Sequence, residues 1–202
     1  MLDNPKSRSS LAHLVDPVAK LLIKARVTPD ALTWFGAGAM LVISVAFLAQ
    51  GDFLLGALLF GVFGLVDLLD GTMARMLGTS GAWGAFLDST LDRVSDAAVI
   101  CGICFYYANN DLPNSNLVVS AGVVALVMGL MTSYARAKAE SLNAKCTIGI
   151  AERAERNILI WISLIITSLV TEVMSYAFVI LAVVSTITVI QRIVYVRKQL
   201  VS

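Results

Sequence analysis

The 202-residue chain holds one histidine, His13, and three cysteines, Cys101, Cys104 and Cys146. A single histidine excludes a His-rich metal centre and any triad that needs a second imidazole. An odd number of cysteines, two of them inside an apolar run, excludes a disulfide framework and the four clustered ligands of a structural zinc site. Charge is also scarce. Asp, Glu, Lys and Arg make up 14% of the chain, against about 25% in soluble domains. Apolar residues reach 58% and the mean hydropathy is +0.82, which excludes a disordered chain. A soluble fold of this length could not hide so much apolar surface. The net charge of +1 says little until the charges are placed along the chain; nucleic acid is not expected as a partner.

Segments of about 20 apolar residues are needed to cross ~30 Å of hydrocarbon. Six are expected, at about 31–50, 53–75, 82–108, 116–138, 156–174 and 175–196. Short polar breaks separate them, such as Gln50-Gly51-Asp52 and Gly78-Thr79-Ser80-Gly81. All 15 Lys and Arg residues then fall on one face, and the opposite loops hold only Asp52, Asp111 and Glu172. By the positive-inside rule that face is cytoplasmic, as are both termini of a multi-pass plasma-membrane protein. Residues 1–30 do not read as a signal peptide, because Asp16, Pro17 and Lys20 interrupt the apolar stretch and no small-residue cleavage site follows. Leu14, Val18, Leu21 and Leu22 share a helical stripe, so this segment is expected to be an amphipathic interfacial helix. Trp34, Trp83 and Trp161 are expected at the cytoplasmic ends of spans, as an aromatic belt, with His13 at the same surface. No repeat or linker divides the chain, so 1–202 is expected to be one all-α membrane domain.

Carboxylates appear where a membrane penalises them. Asp67 and Asp70 end the second span, and Asp88, Asp92 and Asp96 occupy the first half of the third. Each charge at a helix centre costs roughly 2.5–3.5 kcal/mol on insertion scales. Only Arg75 and Arg93 lie in the same window, too few for an ion-pair network. A proton relay would spread its acids through the membrane depth. A bound divalent cation compensates several carboxylates at once. Residues three and four apart share a helix face, so Asp67, Asp70, Gly71 and Ala74 form one stripe and Gly84, Asp88 and Asp92 another. All-oxygen donors favour Mg²⁺, Mn²⁺ or Ca²⁺, and four carboxylates can hold two ions, the arrangement used in phosphoryl transfer. The small residues leave room for a bulky anionic ligand.

The run Asp67-Leu-Leu-Asp70-Gly71-Thr-Met-Ala74-Arg75, followed after eight residues by Gly84 and then by Asp88 and Asp92 at four-residue steps, resembles the signature of the CDP-alcohol phosphotransferases. No signature position is missing. Pro29-Asp30-Ala31-Leu32-Thr33 at the entry to the first span is also similar to that family. Asp30 stands where the family more often has Asn, and Gly81 where it often has Ser, with Ser80 alongside. The resemblance implies a membrane enzyme that transfers a phosphatidyl-type group from a CDP-linked lipid to an alcohol and releases CMP. It implies Asp67, Asp70, Asp88 and Asp92 as ligands of Mg²⁺ or Mn²⁺, with Asp92 also the general base. Asp30, Ala31, Leu32, Thr33, Gly71, Ala74, Arg75, Ser80 and Gly81 would contact the CDP-lipid, and the enzyme would be a homodimer.

A second basic group, Arg136, Lys138, Arg153, Arg156 and Arg192, marks the cytoplasmic ends of the last three spans. Topological flanks also look like this, but Arg153 and Arg156 share a face, and Arg192 lies inward of Arg197 and Lys198. Convergent guanidiniums suit a phosphorylated acceptor. Ser133 to Glu140 and Glu152-Arg153-Ala154-Glu155-Arg156 are similar to the phosphatidylinositol-phosphate synthases of actinobacteria, which join CDP-diacylglycerol to inositol 1-phosphate. Glycerol 3-phosphate is the competing acceptor, CDP-archaeol the competing donor, and a cation- or proton-coupled transporter the competing class. Asp96 has no role assigned by the signature; Arg93 or a polar cavity could pair with it.

Overall fold

The computed structural model describes residues 5–201; the side chains of residues 5–14 and of Asp67 lie outside that description, and with them the expected placements of His13, Lys6 and Arg8. Among the described residues seven α-helices follow in order: α1 (Pro5–Lys24), α2 (Pro29–Ala46), α3 (Phe53–Leu77), α4 (Ala82–Asn109), α5 (Ser115–Ser141), α6 (Arg153–Thr167) and α7 (Val173–Leu200). Among the described residues there is no strand. Local chemistry sets several boundaries. The Thr28 hydroxyl accepts the Ala31 N–H at 3.2 Å and Pro29 occupies the first turn, a favoured start for α2. Between α2 and α3 a single 3-10 turn, Leu48–Gln50, ends at Gly51 with φ +87°. A Cβ there would strike the Tyr106 ring, so the left-handed turn and the close ring both require glycine.

Among the described residues four helices are long and apolar enough to cross a membrane: Pro29–Gln50, Phe53–Leu77, Ser115–Ser141 and Val173–Leu200. The 28-residue α4 has the length but carries Asp88, Asp92, Arg93 and Asp96. Helix α6 has 15 residues, about 22 Å at 1.5 Å per residue, and ends at Thr167 rather than near 174. Beyond it the backbone turns, Leu169 is 85% exposed, and the Tyr107 hydroxyl donates to the Thr171 carbonyl at 2.8 Å.

Contacts divide the chain into two compact units, one of Met1–Val42 with Leu58–Ser95, the other of Ile43–Ala57 with Asp96–Ser202. In the first unit, Ala19, Leu32 and Met73 form a buried cluster lined by Leu22, Ile23, Val27, Val66 and Leu69. Helix α1 therefore buries one apolar face against α2 and α3, while Val18 and Leu21 stay exposed. In the second unit α5 packs along α7, and Gly122 lies so close to Phe178 that a Cβ would collide with its ring. Phe53 stands edge-on to Tyr106 with ring centroids 5.1 Å apart.

Candidate active site

In the first unit, α3 presents Asp70, Gly71, Ala74 and Arg75, and α4 presents Gly84, Asp88 and Asp92. Asp70 is 7% exposed. Its Oδ2 accepts the Thr33 hydroxyl at 2.7 Å and its Oδ1 the Gly71 N–H at 2.5 Å. Thr33, expected on the entry segment of α2, thus orients an α3 carboxylate. Asp92 is 9% exposed, with Arg93 Nη2 3.4 Å from its Oδ2, and Asp88 is half-buried. Arg75 folds back along its own helix. Its Nη2 donates to the Thr72 hydroxyl at 2.9 Å, and its Nη1 lies 3.4 Å from where a Gly71 Cβ would stand. Asp30 accepts the Trp83 indole N–H at 2.8 Å. Ser80 and Gly81 are exposed in the α3–α4 connection, and Ala31 is exposed at the start of α2. Leu32 instead packs in the core beside Ala19 and Met73, where it sets the position of its neighbours rather than offering a surface.

Among the described residues no three His, Cys, Asp or Glu side chains gather closely enough to hold an ion by themselves. The fourth expected ligand, Asp67, has its side chain outside the description. The donor chemistry nonetheless fits a hard divalent cation, since Asp70 and Asp92 are carboxylates buried on an apolar scaffold, where burial penalises bare negative charge.

The second unit builds the basic cluster. Arg156 and Arg192 are buried, Arg153 is half-buried, and Arg136 and Lys138 are exposed. Arg192 donates through Nη1 to the Thr132 carbonyl at 2.6 Å and through Nε to the Ile148 carbonyl at 2.8 Å. Arg156 Nη1 reaches the Ala151 carbonyl at 3.4 Å. The two buried guanidiniums therefore flank one loop, residues 148–151. That loop is fastened again where the Ala151 N–H donates to the Thr188 hydroxyl at 3.1 Å. Arg136 pairs with Glu140 one turn along α5, Nε to Oε1 at 2.9 Å.

Asp96 does not pair with Arg93. Its Oδ1 lies 3.4 Å from Arg153 Nε and 3.4 Å from Asn157 Nδ2, and its Oδ2 lies 3.8 Å from Arg156 Nη2. Asn157 carried no signal in the sequence beyond its helical step from Arg153. The Trp161 indole N–H donates to the Ala57 carbonyl at 2.9 Å, at the end of α3 opposite Arg75, while the side chain stays 38% exposed. Cys101 is exposed, Cys104 half-buried and Cys146 buried, all three free.

The model of the CDP-alcohol phosphatidyltransferase family matches residues 26–191. A phosphatidylinositol phosphate synthase of Cutibacterium acnes is 41% identical over 201 residues, covering 95% of this chain and 96% of that one. The crystal structure of the Mycobacterium tuberculosis phosphatidylinositol phosphate synthase with CDP-DAG bound superposes with a TM-score of 0.87 at 33% identity, over 92% of this chain and 94% of that one. The same enzyme in complex with manganese and citrate gives 0.84 at 34% identity, over 89% and 87%.

Proposed function

Because the chain belongs to the CDP-alcohol phosphatidyltransferase family, we propose that it transfers the phosphatidyl group of CDP-diacylglycerol to inositol 1-phosphate. The products are CMP and phosphatidylinositol phosphate. The observation that carries this reading is the 41% identity to a phosphatidylinositol phosphate synthase over nearly the whole chain, with every signature residue from Asp67 to Asp92 in place.

An acceptor hydroxyl oxygen bonds to the phosphorus that carries diacylglycerol, and the bond from that phosphorus to the CMP oxygen breaks. Asp92 takes the hydroxyl proton. Arg75, with Gly71 and Ala74 leaving the α3 backbone approachable, holds the pyrophosphate. Asp30, Ala31, Thr33, Ser80 and Gly81 contribute to the nucleotide's seat. Asp67, Asp70, Asp88 and Asp92 hold two Mg²⁺ or Mn²⁺ ions, which offset the pyrophosphate's negative charge. Thr33 and the Gly71 N–H keep the Asp70 carboxylate turned to that task. Arg136, Lys138, Arg153, Arg156 and Arg192 bind the acceptor's own phosphate, because the CDP-lipid's anion is already served by Arg75 and the carboxylate site.

The chain acts as one membrane domain with six crossings, both termini and the active site cytoplasmic. Charge placement supports this, as does the family match, which runs through both compact units. The short α6 completes its crossing with the turn that follows it. Helix α1 lies along the cytoplasmic leaflet, its exposed Val18 and Leu21 toward acyl chains and Lys20 and Lys24 toward headgroups. The enzyme is a homodimer, for which Gly38 and Gly64 offer helix surface with nothing within 4 Å of a Cβ.

The test is CMP release by purified protein given CDP-diacylglycerol and a panel of acceptors. Release is expected with inositol 1-phosphate. Preference for glycerol 3-phosphate or unphosphorylated inositol would replace the acceptor and keep the transferase; no release with any alcohol would remove the transferase itself.

A further inference from the structure

We infer that Asp96 is a positioning residue for the acceptor: it orients the guanidiniums of Arg153 and Arg156 toward the acceptor's phosphate. This rests on the reading that those arginines bind that phosphate. Asp96 lies outside the family signature, and its carboxylate is 15% exposed. Both oxygens are engaged. Oδ1 faces Arg153 Nε and Asn157 Nδ2, each at 3.4 Å, and Oδ2 faces Arg156 Nη2 at 3.8 Å. Arg153 and Asn157 are one turn apart on α6, so three groups of one helix fix the plane of a carboxylate on α4.

The arrangement answers a physical conflict. Arg156 is 7% exposed, and a buried guanidinium without a counter-charge is costly. Asp96 supplies a counter-charge to both guanidiniums, 3.4 Å from Arg153 Nε and 3.8 Å from Arg156 Nη2. Gly129 on α5 lies beside the guanidinium: a Cβ there would stand 3.6 Å from Arg156 Nε and 3.9 Å from its Cζ, in ordinary van der Waals contact. The Ala151 carbonyl, 3.4 Å from Nη1, holds its other side. The Asp96 contacts are longer than the 2.7–2.9 Å of a tight charge-assisted bond, which suits groups that must turn to an arriving phosphate.

Charge alone and positioning predict opposite signs. Removing an anion from beside a phosphate site strengthens phosphate binding by Coulomb attraction. If Asp96 positions the arginines, Asp96→Asn weakens it. The expected result is a KM for inositol 1-phosphate raised about fivefold or more, within the range of a lost charged contact. The KM for CDP-diacylglycerol stays unchanged, and Asp96→Glu recovers most of the loss. An unchanged or lowered acceptor KM in Asp96→Asn overturns the inference. Arg153→Gln is measured alongside. If it leaves the acceptor KM unchanged, the phosphate-binding assignment falls and Asp96 falls with it. If Arg153→Gln raises that KM and Asp96→Asn does not, only the role of Asp96 is lost. Should Asp96→Asn fail to fold, Asn157→Ala removes one of the carboxylate's three holds without altering charge. It is expected to raise the same KM about twofold, and no change would overturn the inference equally.

Discussion

Replacing Arg192 by lysine keeps the positive charge and removes the fork. The side chain is 3% exposed, and it ties α7 both to the Thr132 carbonyl of α5 and to the Ile148 carbonyl of the following loop, at 2.6 and 2.8 Å. A planar guanidinium spans two acceptors in different directions; a lysine ammonium on its flexible stem satisfies one of them. Losing one charged hydrogen bond costs about 1.5–3 kcal/mol and strands a buried carbonyl. In a chain of this size each kcal/mol moves the melting temperature by roughly 2–4 °C, so Arg192→Lys should melt about 3–12 °C lower. Thermal unfolding in detergent micelles, followed by tryptophan fluorescence, reads the shift. Arg197→Lys, at an exposed position on the same helix, is the control and should not move. An Arg192→Lys melting temperature equal to wild type would refute the tether. A lowered melting temperature with an unchanged acceptor KM would leave Arg192 as a tether and remove it from the phosphate site.

Asp92→Asn should abolish turnover while CDP-lipid binding persists, checked by CMP release and by titration with CDP-diacylglycerol; near-normal turnover would take the general-base role from Asp92. Chelation by EDTA should stop CMP release, and Mg²⁺ or Mn²⁺ should restore it; activity that survives exhaustive chelation would contradict carboxylate ligation. Gly149→Ala forces φ +154° on a residue with a Cβ placed 2.6 Å from Thr188 Cγ2, so it should destabilise the protein by about 1–3 kcal/mol, seen as a lower melting temperature. The active protein in mild detergent should have a mass twice the chain's 21.6 kDa by light scattering, and an active monomer would remove the dimer.

The helices were legible where the chain is long, apolar and bounded by turn residues. The segment expected at 82–108 is α4, Ala82–Asn109, and that expected at 116–138 is α5, Ser115–Ser141. The signature acids were legible because carboxylates at i, i+3 and i+4 in an apolar run have few explanations. What escaped the sequence was tertiary. Hydropathy continues past Thr167, but Tyr107, 64 positions away from Thr171, takes a carbonyl in the turn that ends α6. Asp96 looked like a neighbour of Arg93 because pairing along one helix is all that spacing displays, while its partners lie 57 to 61 positions away on α6. Leu32 sits within a segment read for ligand contact, yet the helical turn points it at Ala19 and Met73. Trp161 donates its indole N–H to the Ala57 carbonyl 104 positions away, a partner that spacing along one helix does not display.

The most direct measurement identifies the lipid that purified protein makes from CDP-diacylglycerol and inositol 1-phosphate in the presence of Mg²⁺ or Mn²⁺. Mass spectrometry should find phosphatidylinositol phosphate, which carries two phosphorus atoms because the acceptor keeps its own phosphate, formed in equal amount with CMP. Phosphatidate alone beside the CMP would mean that water, not the inositol phosphate hydroxyl, attacks the phosphorus, and would contradict the proposed transfer.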